Sequence, residues 1–330
     1  MPYQCSVVTD SVSPSGDRLT TFEVTFPRIV LSEFNTHCAL ARNSASSRAV
    51  PVLRKIRDVL GDPFVPIHFG HNIPGMQAHE NLTSESAAEA ERVWLAGRDR
   101  AVRTALELIF GGDRVMAELG TAPSGRDLQH FVSSLTEADI RSAPLNVHKQ
   151  IANRVIETFM WHTVIVTATD WSNFFALRTH AGAQPEIREI ATLMRQAMIV
   201  SRPVAVEAGG WHLPLIQDDE RERAARDPLL WTKIAAARCA RVSYLTHHGL
   251  RDLDQDIALH DRLLRDGHLS PFEHVGQAMT AQERATQQRS GKFLGWHQLR
   301  KRIANESDYS LTLAATEGVA DFPAPARDPM

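Results

Sequence analysis

The apolar residues of this 330-residue chain change period several times, and each change marks an element. Tyr3 to Val8 reads as a strand, and Ser13-Pro14-Ser15-Gly16-Asp17 has turn chemistry. Phe22, Val24 and Phe26 then alternate with Glu23 and Thr25, the period of a half-buried strand that Pro27 ends or places at a sheet edge. Phe34, Cys38, Ala41 and Ala45 recur at helical spacing, predicting a helix over 31–48 with His37, Ser44 and Arg48 on a second stripe. The helix is expected only to about Arg42, because Asn43-Ser44-Ala45-Ser46-Ser47 is poor in helix formers.

Further along, residues 50–82 are broken by Pro and Gly and read as a covering segment. Ser86 and Glu89 form a capping-box pattern ahead of Val93, Val102, Leu106 and Ile109, and Gly111-Gly112 stops that helix. Another helix is expected over 147–163 on Val147, Ile151, Val155 and Phe159. Gln184-Pro185-Glu186 and Asp227-Pro228 each set a proline in a first helical turn, ahead of Ile187, Ile190, Met194 and Met198, and of Leu230 and Ile234. A shorter helix follows Asp252, with Ile257 and Leu264 inward and Gly267 as its stop. Trp161, Trp171, Phe174 and Phe175 read as core. The charged stretch 217–227 (QDDERERAARD) reads as a linker between parts 1–216 and 217–330 of one compact fold, and the tail from Ala320 as loosely ordered. The pattern is α+β, helix-rich with a small antiparallel sheet.

With 43% hydrophobic and 23% charged residues the chain can bury a substantial core. Its net charge of −3 creates no global field toward nucleic acid, yet a local group of arginines can hold a phosphate. Cys5, Cys38 and Cys239 form no disulfide framework, which fits a reducing cytoplasm. The N-terminus has no signal-peptide pattern, and the longest apolar stretch, near Val164 to Val166, falls short of the roughly 20 residues of a membrane span. A soluble cytoplasmic protein is expected.

GxGxxG, GxxxxGK[ST] and GxSxG are all absent, so a nucleotide would be held by scattered polar side chains. Four blocks carry candidate chemistry. Residues 36–48 gather a His, two Arg, an Asn and three Ser beside an apolar strand, the mixture an anion wants, or the makings of a polar helix end. The second is Asn153-Arg154. The third runs Asp170-Trp171-Ser172-Asn173-Phe174-Phe175-Ala176-Leu177-Arg178, then Ala183-Gln184-Pro185-Glu186-Ile187. The fourth joins Ala240-Arg241-Val242-Ser243-Tyr244 to Gly267-His268-Leu269-Ser270-Pro271-Phe272-Glu273-His274. No metal site is expected, since neither His268 and His274 beside Glu273 nor His68 and His71 complete a ligand set at standard spacing.

Taken together, the blocks resemble the flavin-dependent thymidylate synthases over roughly residues 20–50, 145–200 and 235–275. Their order differs from the family's: ARVSY and HLSPFEH follow the 36–48 block instead of preceding it, so the resemblance implies a circular permutation. It further implies FAD as cofactor, NADPH and methylenetetrahydrofolate as co-substrates, dUMP as the acceptor of a one-carbon unit at C5, and a homotetramer whose subunits meet at the sites. Another pyrimidine nucleotide such as dCMP, or a non-catalytic nucleotide-binding role, stays open. Neither nucleic acid nor membrane is an expected partner. By the same resemblance, Arg48, Ser46, Ser47 and Arg154 would hold the substrate phosphate, and Arg178, with Ser46, would act in catalysis. Asn43, His37, Asn173, Ser243, His268 and Ser270 would contact FAD, making 217–330 the permuted flavin-binding part. Thr36 and Cys38 stand where the family has arginines, Ser44 replaces a Glu, Ala41 a Ser and Glu33 a Gln. Arg42 or Arg300-Lys301-Arg302 are candidate replacements for the missing cations, and Glu33 is a candidate contact to a substrate amino group. Cys38, on the predicted apolar stripe, is expected to be buried and not to act as a nucleophile.

Overall fold

The computed structural model describes residues 3–75, 77–78, 80–249, 251–303 and 306; the tail from Ala320 lies outside the described residues. The fold is mixed α+β, helix-rich with small sheets. The main sheet has the order β3-β4-β2-β1-β5, from β1 (Gln4–Val12), β2 (Arg18–Pro27), β3 (Ala41–Ser44), β4 (Trp161–Ala168) and β5 (Val204–Ala205). β1, β2, β4 and β3 pair antiparallel, and β5 lies parallel to β1. β6 (Trp211–His212), β7 (Gly276–Ala278) and β10 (Trp296–Gln298) form a smaller sheet, and β8 (Arg289–Ser290) pairs with β9 (Phe293–Leu294).

Strand alternation gives the main sheet two unlike faces. Phe22, Val24, Phe26, Val164 and Val166 pack against Trp171, Phe174, Ile187, Ile190 and Met194 of the Ser172–Arg178 and Pro185–Val200 helices and their approach. The opposite face carries Thr21, Thr25, Thr163 and Thr167 with Ile165, and the later half of the chain covers it. Ile165 packs with Cys239 and Val242, while hydroxyls and imidazoles satisfy one another around it. Thr21 Oγ1 lies 2.8 Å from His212 Nε2 and 2.7 Å from Thr167 Oγ1, Thr167 Oγ1 lies 2.8 Å from His274 Nδ1, and His212 Nδ1 lies 2.8 Å from Ser11 Oγ. This chain of bonds clamps the Ser270–His274 turn to the sheet. A separate apolar cluster unites the Val52–Gly61, Ser84–Phe110 and Gly125–Ser134 helices with Ile156 and Phe159.

Burial pushes His212 and His274 down from about 6.5 to about 3, His274 further through the charge of Lys292. In the unfolded chain both rings take up protons once the pH falls below about 6.5, whereas the folded protein resists until about 3. The folded state is therefore fully favoured above that range and loses stability steadily as the pH falls through it. Urea midpoints measured from pH 7 downward should decline; a flat profile would contradict the buried neutral pair.

Several expectations need correction. The helix predicted over 31–48 is only Leu31–Asn35, because Ala41–Ser44 leaves it to pair with β4. Cys38, off any helical stripe, is exposed. The helix predicted over 147–163 is a short turn, Lys149–Ala152, followed by a 3-10 stretch, Asn153–Phe159, and the strand β4. Ile151 and Val155, read as its inner face, are exposed, while Ala152 and Ile156 are buried. The Ser84–Phe110 helix starts at Thr83, whose side chain accepts from Ser86 N–H; Glu89 pairs with Arg92, and Val93 is exposed. Residues 217–227 are not a free linker. They form the Asp218–Glu220 and Arg221–Arg226 turns, and Glu220 is buried against Arg238. The proline-initiated helices stand as read: Pro185–Val200 and Pro228–Arg241, the latter with the Asp227 side chain accepting from Leu230 N–H. Gly111, at φ 84°, ends its helix as expected.

Candidate functional site

The strand β3 carries the site. Its pairing with β4 buries Ala41 and Asn43 on the face, shared with Thr167 and Ile165, that the later half of the chain covers, buries Ala45 just beyond the strand, and leaves Arg42, Ser44 and Ser46 half-buried. The ARVSY segment is tied directly to this strand and its continuation. Ser46 N–H donates to the Ser243 carbonyl at 3.0 Å, Ser243 Oγ donates to the Ser44 carbonyl at 3.4 Å, and Asn43 Nδ2 donates to the Cys239 carbonyl at 3.4 Å. Lys292 Nζ donates to the Leu40 carbonyl and to Glu273, binding the SPFEH turn to the same strand.

Two hollows open at this junction, of about 340 and about 590 Å³, and Asn43, Ser46, Ser243 and Ser270 belong to both walls. The smaller is polar and positive. Arg28, Arg42 and Arg154 line it with Ser44, Ser46 and Ser47. Arg42 Nη1 donates to the carbonyls of Phe34, Asn35 and His37 at 3.1, 2.9 and 3.2 Å, which fixes it without neutralising it. Arg28 and Arg154 share one carboxylate, Glu157, at 3.5 and 3.2 Å. Burial pulls Arg28 and Arg42 below the usual guanidinium range, yet guanidinium groups stay charged. Three cations against one carboxylate, beside several hydroxyls, form a receptor for a multiply charged anion. The larger hollow adds Arg48, His148, Gln150, Tyr244, Arg262 and His268.

The site residues expected from sequence thus divide into two groups. Arg48, Ser46, Ser47, Arg154, Asn43, Ser243, His268 and Ser270 gather around the hollows. Arg178, His37, Glu33 and Asn173 do not line them. Arg178 Nε donates to His37 Nε2 at 2.8 Å, and its Nη2 donates to Thr36 Oγ1 at 3.2 Å and to the Glu33 carbonyl at 3.4 Å. The Glu33 carboxylate accepts from the Ser32 hydroxyl, and Asn173 is exposed on the Ser172–Arg178 helix. His37 is buried, edge-on to Phe174 at 5.0 Å. Burial, then the charges of Arg178 and Arg42, hold its imidazole below the ordinary value, so the ring is neutral and Nε2 accepts. Arg42 connects the groups, lining the smaller hollow while donating to the His37 carbonyl.

Of the candidate replacements for the missing cations, Arg42 lines the hollow, whereas Arg300 and Lys301 are taken up by Glu273 and Glu306, and Arg302 lies over the Trp211 ring. Sequence reading missed Arg28 and Arg262. Arg28 stands alone after Pro27, and only the pairing of β2 with β4 brings it near Arg154. It also missed a cluster of Glu23, His247 and His248, in which the carboxylate lies more than two hundred residues before the two histidines along the chain.

Comparison with known proteins adds little. No family pattern and no curated protein matches the chain. Among solved structures, the chain is similar to "a UMP/dUMP methylase PolB from Streptomyces cacaoi bound with 5-Br UMP", at a TM-score of 0.39 and 16% identity, over 59% of this chain and 88% of that one. It is also similar to the same protein bound with 5-Br dUMP, at a TM-score of 0.35 and 17% identity, over 55% and 66% of the respective chains. Likeness of this degree decides neither fold nor activity. Among the described residues no helix is long and apolar enough to cross a membrane.

Proposed function

We propose that the chain is a flavin-dependent enzyme that transfers a one-carbon unit from methylenetetrahydrofolate to C5 of dUMP, giving dTMP, with NADPH as reductant. The supporting observation is that segments 42–48, 154, 243–244 and 268–270, which carry the resemblance and are scattered along the sequence, line one double hollow. A circular permutation accounts for their order, since the contacts among them do not depend on where the chain is cut. The parts 1–216 and 217–330 are proposed to be the two exchanged pieces.

In this reading the dUMP phosphate sits in the smaller hollow, held by Arg28, Arg42 and Arg154 and by the hydroxyls of Ser46 and Ser47. Arg28 and Arg42 stand in for the cations absent at Thr36 and Cys38. The donor set also fits FAD: Asn43, Ser243 and Ser270, shared by both hollows, and His268, Arg48 and Arg262 offer an amide, hydroxyls, an imidazole and cations to its ribose and pyrophosphate. Bound flavin supplies the redox chemistry, and the protein supplies position and field.

Arg178 stands off from its own chain's hollows, so we assign it, with His37 and Asn173, to the cleft of a neighbouring subunit in a homotetramer. There its guanidinium stabilises the negative charge that develops on the pyrimidine as C5 becomes nucleophilic. Neutral His37 accepts from Arg178 Nε, and Thr36 Oγ1 and the Glu33 carbonyl accept from its Nη2, which together orient the guanidinium.

The phosphate assignment is tested by Arg154→Ala. Its side chain is half exposed and, among the described residues, pairs with Glu157, so folding should be little affected. Loss of a charge-assisted hydrogen bond of about 1.5–3 kcal/mol weakens dUMP binding by about 10- to 150-fold in calorimetry. Deoxyuridine, lacking the phosphate, should bind equally to both proteins. Unchanged dUMP affinity, or an equal loss for deoxyuridine, would remove Arg154 from the phosphate site. Identifying the product by mass with dUMP and with dCMP separates thymidylate synthesis from modification of another pyrimidine nucleotide, and absence of both products leaves nucleotide binding alone.

A further inference from the structure

On the polar face of the main sheet, away from the residues assigned above, Glu23 of β2 meets His247 and His248. Both imidazoles turn Nε2 toward the same carboxylate oxygen, Oε2, His248 at 2.5 Å and His247 at 3.2 Å, and their ring centres are 4.3 Å apart. One potential ligand atom from each side chain lies within 4.8 Å of the others. We propose that Glu23, His247 and His248 hold a divalent first-row transition-metal ion such as Zn²⁺.

Three observations carry this. First, the His247 side chain is only 4% exposed, yet neither ring nitrogen has a hydrogen-bond partner of acceptable geometry among the described residues. A buried imidazole left in this state is costly, and a metal bond at Nε2 gives it a strong partner. Second, two imidazoles converging on one carboxylate oxygen leave that oxygen as the shared partner of both rings, whereas an ion between them engages all three groups at once. Third, the spacing fits. Ligands about 2.0–2.1 Å from a tetrahedral zinc lie roughly 3.3 Å from one another, close to the 3.2 Å between His247 Nε2 and Glu23. The His248 contact is shorter, but that side chain is 61% exposed and free to swing outward. Two imidazoles and one carboxylate suit zinc and its neighbours, and three protein ligands leave one position open to water.

The ion would be a clip. Glu23 sits within β2, while His247 follows by three residues the Val242–Tyr244 turn that supplies Ser243 and Tyr244 to the cleft wall. Ligation fastens that turn to the sheet. The inference concerns a different place from the nucleotide cleft and stands whether or not the chain binds flavin.

The test is titration of the chelator-treated full-length protein with Co²⁺ and with Zn²⁺. The expected result is one Co²⁺ per chain with the intense visible absorption of a four-coordinate ion, displaced by Zn²⁺, and a rise in melting temperature with Zn²⁺. His248→Ala, at the exposed ligand, should lower affinity by about 100-fold or more and abolish the thermal shift, and Glu23→Gln should do likewise, while His68→Ala changes neither. Circular dichroism confirms that each variant is folded. Absence of the cobalt band in the wild type, or unchanged affinity in folded His248→Ala and Glu23→Gln proteins, would overturn the proposal.

Discussion

Arg178→Ala should lower turnover by about 100-fold or more while leaving the melting temperature and dUMP affinity close to wild type. The size follows from the role assigned: a donor aimed at developing charge is commonly worth about 2.7–4 kcal/mol of transition-state stabilisation, and little in the ground state. Fold stability should fall only modestly, because Arg178 is half exposed and, of its partners, Thr36 is exposed and Glu33 half-buried, while the buried His37 Nε2 loses its donor. Mixing makes the experiment sharper. If Arg178 serves a neighbouring subunit, co-assembled Arg178→Ala and Arg154→Ala chains regain activity, since some clefts then combine one intact Arg154 with one intact Arg178. Activity at low dUMP no higher than the sum of the two impaired parents would place both arginines in one chain's site or neither in catalysis.

Arg238→Ala should destabilise the fold by about 3–5 kcal/mol, the cost typical of leaving buried charges unpaired. Arg238 is fully buried in the Pro228–Arg241 helix. Its Nη1 and Nη2 donate to Glu220 at 2.6 and 2.8 Å, its Nε donates to Asp256 at 3.0 Å, and Nη1 also donates to the Leu215 carbonyl. Arg241 takes the other oxygen of Asp256 at 2.8 Å. Burial works to raise the Glu220 carboxyl, but hydrogen bonds from Arg238, the Gln217 backbone and Arg251 hold it down at about 2. Removing the central guanidinium leaves one oxygen of the buried Asp256 without its cation and Glu220 with Arg251 and the Gln217 N–H in place of its two bonds from Arg238. Equilibrium urea denaturation at pH 7 measures the loss, and a change below about 1 kcal/mol would show that water or rearranged side chains replace the guanidinium. The same network joins the turns at 218–226 to the helices that support Ser243, so the variant should also weaken nucleotide binding.

These two residues show how far the sequence could be read. Arg178 is conspicuous, since a charge after Phe174, Phe175 and Leu177 calls for a partner or a ligand. Arg238 is not, because the QDDERERAARD stretch that neutralises it looks like a solvated linker until Glu220 is seen folded inward. Local signals were read correctly wherever local physics decides: Asp227 and Pro228 start a helix, Gly111 ends one, and the alternation at 22–26 makes a strand. The failures fall where distant pairing overrides spacing. Phe34, Ala41 and Ala45 are all buried and are spaced as on a helix, but β4, more than a hundred residues onward, draws 41–44 into the sheet. Ile151 and Val155 fail for a related reason, as the 3-10 stretch before β4 turns a different set of side chains inward. The same limit hides Arg28 in the hollow and Glu23 beside two histidines, since neither neighbourhood exists until the sheet forms. Resemblance picked out the cleft residues 43–48, 154, 243 and 268–270, but not that Arg178 and His37 stand apart from them.

The central claim is that this cleft takes flavin, and the absorption spectrum of the purified chain tests it most directly. After incubation with FAD and removal of free dye, the protein should keep close to one flavin per chain, bleach with NADPH, and lose the dye when Ser243 and Ser270 are both replaced by bulky residues. A colourless protein that retains no FAD, with or without dUMP present, would contradict the account.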